Sequence, residues 1–350
     1  MNIVSHIIKE FIPQLDTDEK KELLDCLVKV MDLEMIAEMS PGEDASGLMC
    51  PRCGCPYTIK KGRPNGHQRY FCKGCERFFS SSTNRVLGLT KLDRDVWVAY
   101  AHEMLTGATL REAASEVGVG LKTSFFMRIR ICECMEGNLE AFRVGPGCSA
   151  EIDEYFMRES FKGNHTRSET FDLPRKAKRR PKDGVKAGAS KGQVCILTGI
   201  NDRGTSFLEL AARAALNAEA AKDILSDKVA EGAIVSTDWA APYKTVMKEL
   251  GVAVHNRYVS TNRSQGVINA VNALHARLTD FLAPFRGLST RRLRWYFAWF
   301  EWVEAFRSLR TRSDRVVLAT GHVVNGYYVT RLRDLWTTPY PFSEYWGLLC

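Results

Sequence analysis

Four cysteines carry the clearest chemistry in the chain. Cys50-Pro51-Arg52-Cys53 is followed, after eighteen residues, by Cys72-Lys73-Gly74-Cys75. A two-residue gap lets one tight turn aim two thiolates at one ion. Two such pairs supply the tetrahedral sulfur set that structural Zn2+ prefers. Gly54 and Gly74 give the turns backbone freedom. Between the pairs, Tyr57-Thr58-Ile59-Lys60 and Gln68-Arg69-Tyr70-Phe71 read as a hairpin about Pro64-Asn65-Gly66, which makes the segment a zinc ribbon. Cys55 is a spare thiol that could compete with Cys53, but the paired spacing favours Cys53. Arg52, Lys60, Lys61, Arg63, Arg69, Lys73 and Arg77 make the ribbon basic, which suits phosphate contact or, equally simply, a solvated face.

Two carboxylates stand out by position. Asp153 lies inside Glu151-Ile152-Asp153-Glu154-Tyr155-Phe156, and Asp238 ends Ala233-Ile234-Val235-Ser236-Thr237. A strand fixes the direction of an acid it carries. Paired aspartates suit Mg2+ or Mn2+, and two such ions can clamp the attacking and leaving oxygens of a phosphodiester. Taken singly, each Asp reads first as a turn or surface acid. Strand alternation sends Glu154 to the face opposite Asp153, so it is left out of the metal set. Arg175-Lys176-Ala177-Lys178-Arg179-Arg180-Pro181-Lys182 carries six cations and no acid. It reads as a loop that orders on DNA; the same composition would serve as a targeting signal.

These groups need elements to hold them. The 350 residues are 45% hydrophobic and 26% charged, with a net charge of +8. That excludes disorder over most of the length and suits a polyanionic partner. The odd count of eleven cysteines, with no secretory leader and no membrane-length apolar run, predicts a reducing, cytoplasmic setting and no membrane partner. Five segments emerge: a helical N-terminal segment and linker (1–47), the ribbon (48–90), a helical region (91–147), an α/β region (148–310) and a C-terminal tail (311–350). In the helical region Thr109 caps a helix that closes at Gly118. A second helix starts with Lys122 and carries Arg128, in the order of a DNA-reading helix-turn-helix; an ordinary helical hairpin is the plain alternative. The α/β region shows strands at Glu151–Met157, Gln193–Ile200, Thr205–Leu210 and Ala233–Thr237, a helix over Ala218–Ala230, and helices after Val267. Tyr296, Trp299 and Phe300 recur at helical spacing, which assigns the aromatic stretch Trp295–Trp302 to core packing.

The constellation resembles bacterial insertion-sequence transposases of the ISXO-like type, with a zinc ribbon before a ribonuclease-H-like catalytic domain. The resemblance runs from about Cys50 to Trp302. It is carried by the ribbon, the Thr106–Arg130 helix pair, the segment around Asp153 and the basic loop before Val194. It continues through Ser236-Thr237-Asp238-Trp239-Ala240-Ala241-Pro242-Tyr243, Val267-Ile268-Asn269-Ala270-Val271-Asn272 and Phe285-Arg286-Gly287-Leu288-Ser289.

The resemblance implies an α/β fold built on a ribonuclease-H-like, five-stranded mixed sheet with flanking helices. It implies hydrolysis at the element ends, then attack of a freed 3′ hydroxyl on target DNA. Asp153 and Asp238 match the first two metal-binding acids. Asn269 matches an Asn that precedes the third, and Asn272 fills the third acidic position. A neutral carbonyl oxygen is a weaker ligand than a carboxylate. Two readings follow: a working Asp-Asp-Asn transposase, or a weakened, transposase-derived zinc-ribbon DNA-binding protein. A nuclease without strand transfer is a third. His275, one helical step from Asn272, could face the site, though a lone His reads first as structural. Asp280, Glu301 and Glu304 do not hold the matched place. Arg286 and Arg291-Arg292-Arg294 suit phosphate contact. The implied cofactors are structural Zn2+ and catalytic Mg2+ or Mn2+. The implied partners are double-stranded DNA, ends and target, and further copies of the chain in a homo-oligomer, because two ends must be joined.

Overall fold

The structure, a computed structural model, describes residues 12–17, 19–20, 23, 49–64, 68–163, 192–258, 268–285, 287–309, 312–326, 330, 334–335 and 338–342. The expected helices of residues 1–40, the linker after them, Arg286 and the basic run holding Arg175, Lys176, Lys178, Arg179 and Arg180 lie outside the described residues. The chain divides into two compact units: Met1–Cys134 with Leu309–Val329, and Met135–Ser308 with Thr330–Cys350. No helix among the described residues is long and apolar enough to cross a membrane.

The first unit opens with a three-stranded antiparallel sheet, β1 (Thr58–Lys60), β2 (Arg69–Cys72) and β3 (Phe78–Ser80). The hairpin of β1 and β2 is the one the sequence predicts. The third strand is an addition, too short at three residues to show a pattern of its own. Helices α1 (Arg94–Leu105), α2 (Leu110–Glu116) and α3 (Leu121–Glu136) follow. Thr109 and Glu112 close a reciprocal capping box at the start of α2, which satisfies two of its orphan N–H groups. Gly118, at φ +69°, makes the left-handed turn before α3. Ser124 locks α3 in place: its hydroxyl donates to the Leu110 carbonyl, and the Tyr100 hydroxyl reaches the Ser124 carbonyl at 2.6 Å. The segment read as a C-terminal tail holds a helix, α8 (Arg312–Asn325), which packs on α1. Val316, Ala319, Val323 and Val324 give it a buried face at helical spacing.

The second unit is a five-stranded sheet of β4 (Ser149–Arg158), β5 (Gln193–Asn201), β6 (Ser206–Arg213), β7 (Ile234–Asp238) and β8 (Val254–Tyr258), in the order β6-β5-β4-β7-β8. β4, β5 and β6 are antiparallel; β4, β7 and β8 run parallel. Numbered within the sheet, that is 3-2-1-4-5 with one reversed strand, the ribonuclease-H-like mixed arrangement. Helix α4 (Ala218–Leu225) precedes β7, and α5 (Ala241–Glu249) makes the crossover from β7 to β8. Together they cover one face through Ile152, Leu197, Val235, Leu225 and Val246. Helix α6 (Asn269–Leu282) lies across β4 and β5, and α7 (Leu293–Ala305) packs on β6. The aromatic stretch is core: Trp295, Tyr296, Phe297, Trp299, Phe300 and Trp302 are all buried. Phe281 of α6 meets Trp299 edge-on at 5.0 Å. β8 is the strand the sequence does not announce, since Val254-His255-Asn256-Arg257-Tyr258 lacks apolar alternation.

Candidate metal centres

The four expected cysteines converge. Their sulfurs lie within 4.8 Å of one another. Cys50 and Cys75 Sγ are 3.7 Å apart, and Cys53 and Cys72 Sγ 3.6 Å. A disulfide would need about 2.05 Å. Four thiolates about 2.3 Å from one zinc ion sit about 3.8 Å from each other, so the set fits tetrahedral Zn2+. Burial alone pushes the Cys72 thiol up, but the N–H groups of Cys75 and Gly74 point at its sulfur and bring it down, toward the thiolate a metal needs. A Cβ at Gly74 would stand 2.8 Å from Cys55 Sγ, so the second turn requires glycine. Cys55 itself is outside the set; its carbonyl accepts from Cys50 N–H and ties the first turn.

The acidic centre is assembled from remote pieces. Thr237 pairs with Ile152 across the parallel β4–β7 ladder, which sets Asp238 beside Asp153. Carboxylate oxygens of Asp153, Asp238 and Glu154 all lie within 4.8 Å of one another. Glu154 corrects the expectation. Alternation does turn it to the face of Ile152 and the buried Tyr243. But β7 ends at Asp238, the edge of β4 is uncovered beyond that point, and the longer Glu side chain reaches back to both aspartates. Among the described residues no Lys or Arg pairs with any of the three. Burial, then the charge of Asp238, pushes Asp153 up to about 7. Burial, then Asp238 and Asp153, pushes Glu154 up to about 8. Three crowded oxygen donors that cannot all ionise alone are compatible with a hard divalent cation such as Mg2+ or Mn2+.

Helix α6 brings His275 to this centre. Glu151 Oε2 accepts from Ala270 N at 2.7 Å and Val271 N at 3.0 Å, so a strand carboxylate anchors the helix N-terminus. One turn further, His275 Nδ1 lies 4.0 Å from Asp153 Oδ2. Thr198 Oγ1 donates its only proton to the Asp153 carbonyl, and His275 Nε2 sits 2.7 Å from that same oxygen. The hydroxyl must therefore accept from Nε2–H. The Nδ1 lone pair then faces the carboxylates. Burial holds His275 down at about 4, so it is neutral near pH 7. Asp238 is fixed by its own turn, with Oδ1 accepting from Ala240 N. Asn272 sits one turn before His275, exposed, its N–H bonded to the Ile268 carbonyl. The remaining acids are engaged or outside: Glu304 holds Arg277 at 2.6 Å, half-buried Glu301 accepts from Leu208 N–H, and Asp280 is exposed.

The cations divide. Arg52, Arg69 and Lys122 are exposed, and the Arg69 guanidinium lies 4.5 Å over the Phe78 ring. Arg128 is not available for DNA: it is 0% exposed, with Nη2 donating to the Ala108 carbonyl. It shares the stripe of Ser124, Met127, Ile131 and Met135, and that spacing was the signal that places it inside. Arg292 is likewise buried, bonded to the Leu335 carbonyl, while Arg294 pairs with Glu136.

No protein-family model matches the sequence. The chain is 25% identical over 283 residues, 79% of its length and 92% of the relative's, to an uncharacterized protein in transposable element ISH50 of Halobacterium salinarum. Among solved structures, a crystal structure of a pre-cleavage Mos1 transpososome aligns over 66% of this chain and 80% of that one, at 12% identity and a TM-score of 0.24. So loose a superposition supports no argument; the fold assignment rests on the strand order.

Proposed function

We propose that this chain is a DNA transposase whose second unit cuts and joins strands at the ends of an insertion sequence. The observation that carries the reading is the meeting of Asp153 and Asp238 on adjacent parallel strands of a ribonuclease-H-like sheet. The similarity to a protein of a transposable element points the same way. In this reading Asp153 and Asp238 hold Mg2+ or Mn2+, which supplies charge neutralisation and an activated oxygen nucleophile when bound. Glu154 adds a third carboxylate, and His275 takes the place on the helix that the resemblance gave to Asn272. Thr198 is a positioning residue that fixes the imidazole tautomer. Glu151 acts further back, by setting the register of α6.

The cysteine set holds structural zinc, and Arg52, Arg69 and Lys122 face DNA phosphates. Double-stranded DNA and further copies of the chain are the partners such a reaction needs.

Strand cleavage of end-containing DNA with Mg2+ or Mn2+ tests the proposal. The wild-type protein should nick and then join strands, and Asp238→Ala should leave neither product. Equal background from both would overturn it. Cleavage without joined products would reduce it to a nuclease.

A further inference from the structure

One large side chain beside the acidic centre is unexplained by packing. Trp239 directly follows Asp238 and is 58% exposed, whereas Trp97, Trp295, Trp299 and Trp302 are buried. It is held rather than loose. The guanidinium of Arg257 lies 4.2 Å from its ring centroid. Arg257 is the cross-strand partner of Thr237, and its Nη2 donates to the carbonyls of Trp239 and Ala240. The Ala240 N–H closes the turn on Asp238 Oδ1 at 2.9 Å. One ring face is therefore backed by a cation, and the rest of the ring meets water.

We infer that Trp239, backed by Arg257, is a stacking platform for an unpaired nucleobase next to the phosphate held at Asp153 and Asp238. The inference rests on the strand-cutting reading of that centre. Leaving an indole in water forgoes its hydrophobic stabilisation, and here the fold spends a stacked arginine and two carbonyl bonds to keep it there. Consecutive Cα atoms are about 3.8 Å apart, so the backbone that carries the ring adjoins the backbone that carries the Asp238 carboxylate. A planar apolar face with a cation behind it is the pairing that single-stranded nucleic acid uses. Bases within a duplex already have both faces covered, so the base received must leave its stack. Because ring and turn are fixed beforehand, little ordering cost is charged to the bound strand.

The test uses the full zinc-loaded chain without Mg2+ or Mn2+, so that nothing is cut. The probes are a short single strand, a duplex of the same sequence, and a single strand carrying 2-aminopurine. The wild-type protein should quench the 2-aminopurine, and Trp239→Phe should retain most of the quench. Trp239→Ala should lose it and bind the single strand about tenfold or more weakly, with duplex binding unchanged. Absence of quenching by the wild type would overturn the platform. So would an equal loss of single-strand and duplex affinity in Trp239→Ala. Cleavage plays no part in these readouts. If Asp238→Ala cuts as well as the wild type, the transposase reading falls while the stacking response still stands or fails by itself.

Discussion

The cysteine centre and the acidic centre are both sets of side chains that could hold a metal ion, yet they are built in opposite ways. The cysteine set comes from one hairpin and its two turns, with all four sulfurs at zinc-like spacing. The acidic set comes from β4 and β7, with His275 of α6 beside it, and it exists only because separate strands have paired and a helix has docked on them. In the first, a segment whose apolar core is little more than Phe79, Tyr70 and the cysteines themselves would be organised by the zinc ion proposed for it. In the second, a large apolar core organises the ligands and crowds like charges against their preference. On the zinc proposal, one centre would need its metal to fold. The other folds first and is left short of positive charge.

The largest expected effect separates the two most sharply. Stripping zinc with a chelator, or Cys72→Ser, should unfold residues 48–80, because structural zinc in small ribbons contributes about 10–16 kcal/mol. Amide spectra should show the second unit still folded. A ribbon that keeps its spectrum without zinc would erase the contrast. Next comes His275→Ala, which should lower Mg2+-dependent cleavage by about a hundredfold. Thr198→Ala should lower it by about tenfold, as for partners that orient metal ligands. Metal titrations should weaken in the same order. If Asn272→Ala is the more damaging change, the helix ligand is Asn272 after all.

The third prediction is a pH dependence of the metal-free protein. Asp153 and Glu154 have folded-state values above their ordinary ones, so the folded form binds more protons than the unfolded form. His275 is neutral in both states above about pH 6.5, so from there toward about pH 8 the two carboxylates set the slope and stability should fall as pH rises. Asp238→Asn removes one of the repelling charges and should flatten the fall; Mg2+ should abolish it. Thermal melts from about pH 6.5 to about pH 8 check both, and a melting temperature that rises over this range would contradict the scheme. The smallest effect is Glu151→Ala, which should cost about 1 kcal/mol through the lost cap of α6. Cleavage should fall with it, since His275 loses its register.

How much of this the sequence discloses follows from the same contrast. A pair of cysteines two residues apart is a local signal, and the ribbon could be read directly. Asp153 and Asp238 were visible as acids on strands, although only the ladder makes them neighbours. Glu154 was hidden because alternation reports which face a residue leaves from and not where a neighbouring strand ends. His275 carries one local hint, its helical step from Asn272, but its ring orientation is set by Thr198, a residue on a strand. β8 escaped because a polar edge strand has no period to find. Arg128 misled because a charged residue on a buried helical stripe was read by its charge and not by its spacing.

The anchor between Glu151 and the start of α6 has a consequence for synthesis. The residue it places, His275, emerges long after both aspartates, so a ribosome-bound chain lacks a complete centre until the sheet is finished and α6 has docked. A truncated product that ends before α6 would carry both aspartates with no helix to finish the centre. On the strand-cutting proposal, activity would thus wait on most of the chain, which would keep half-made copies from cutting DNA.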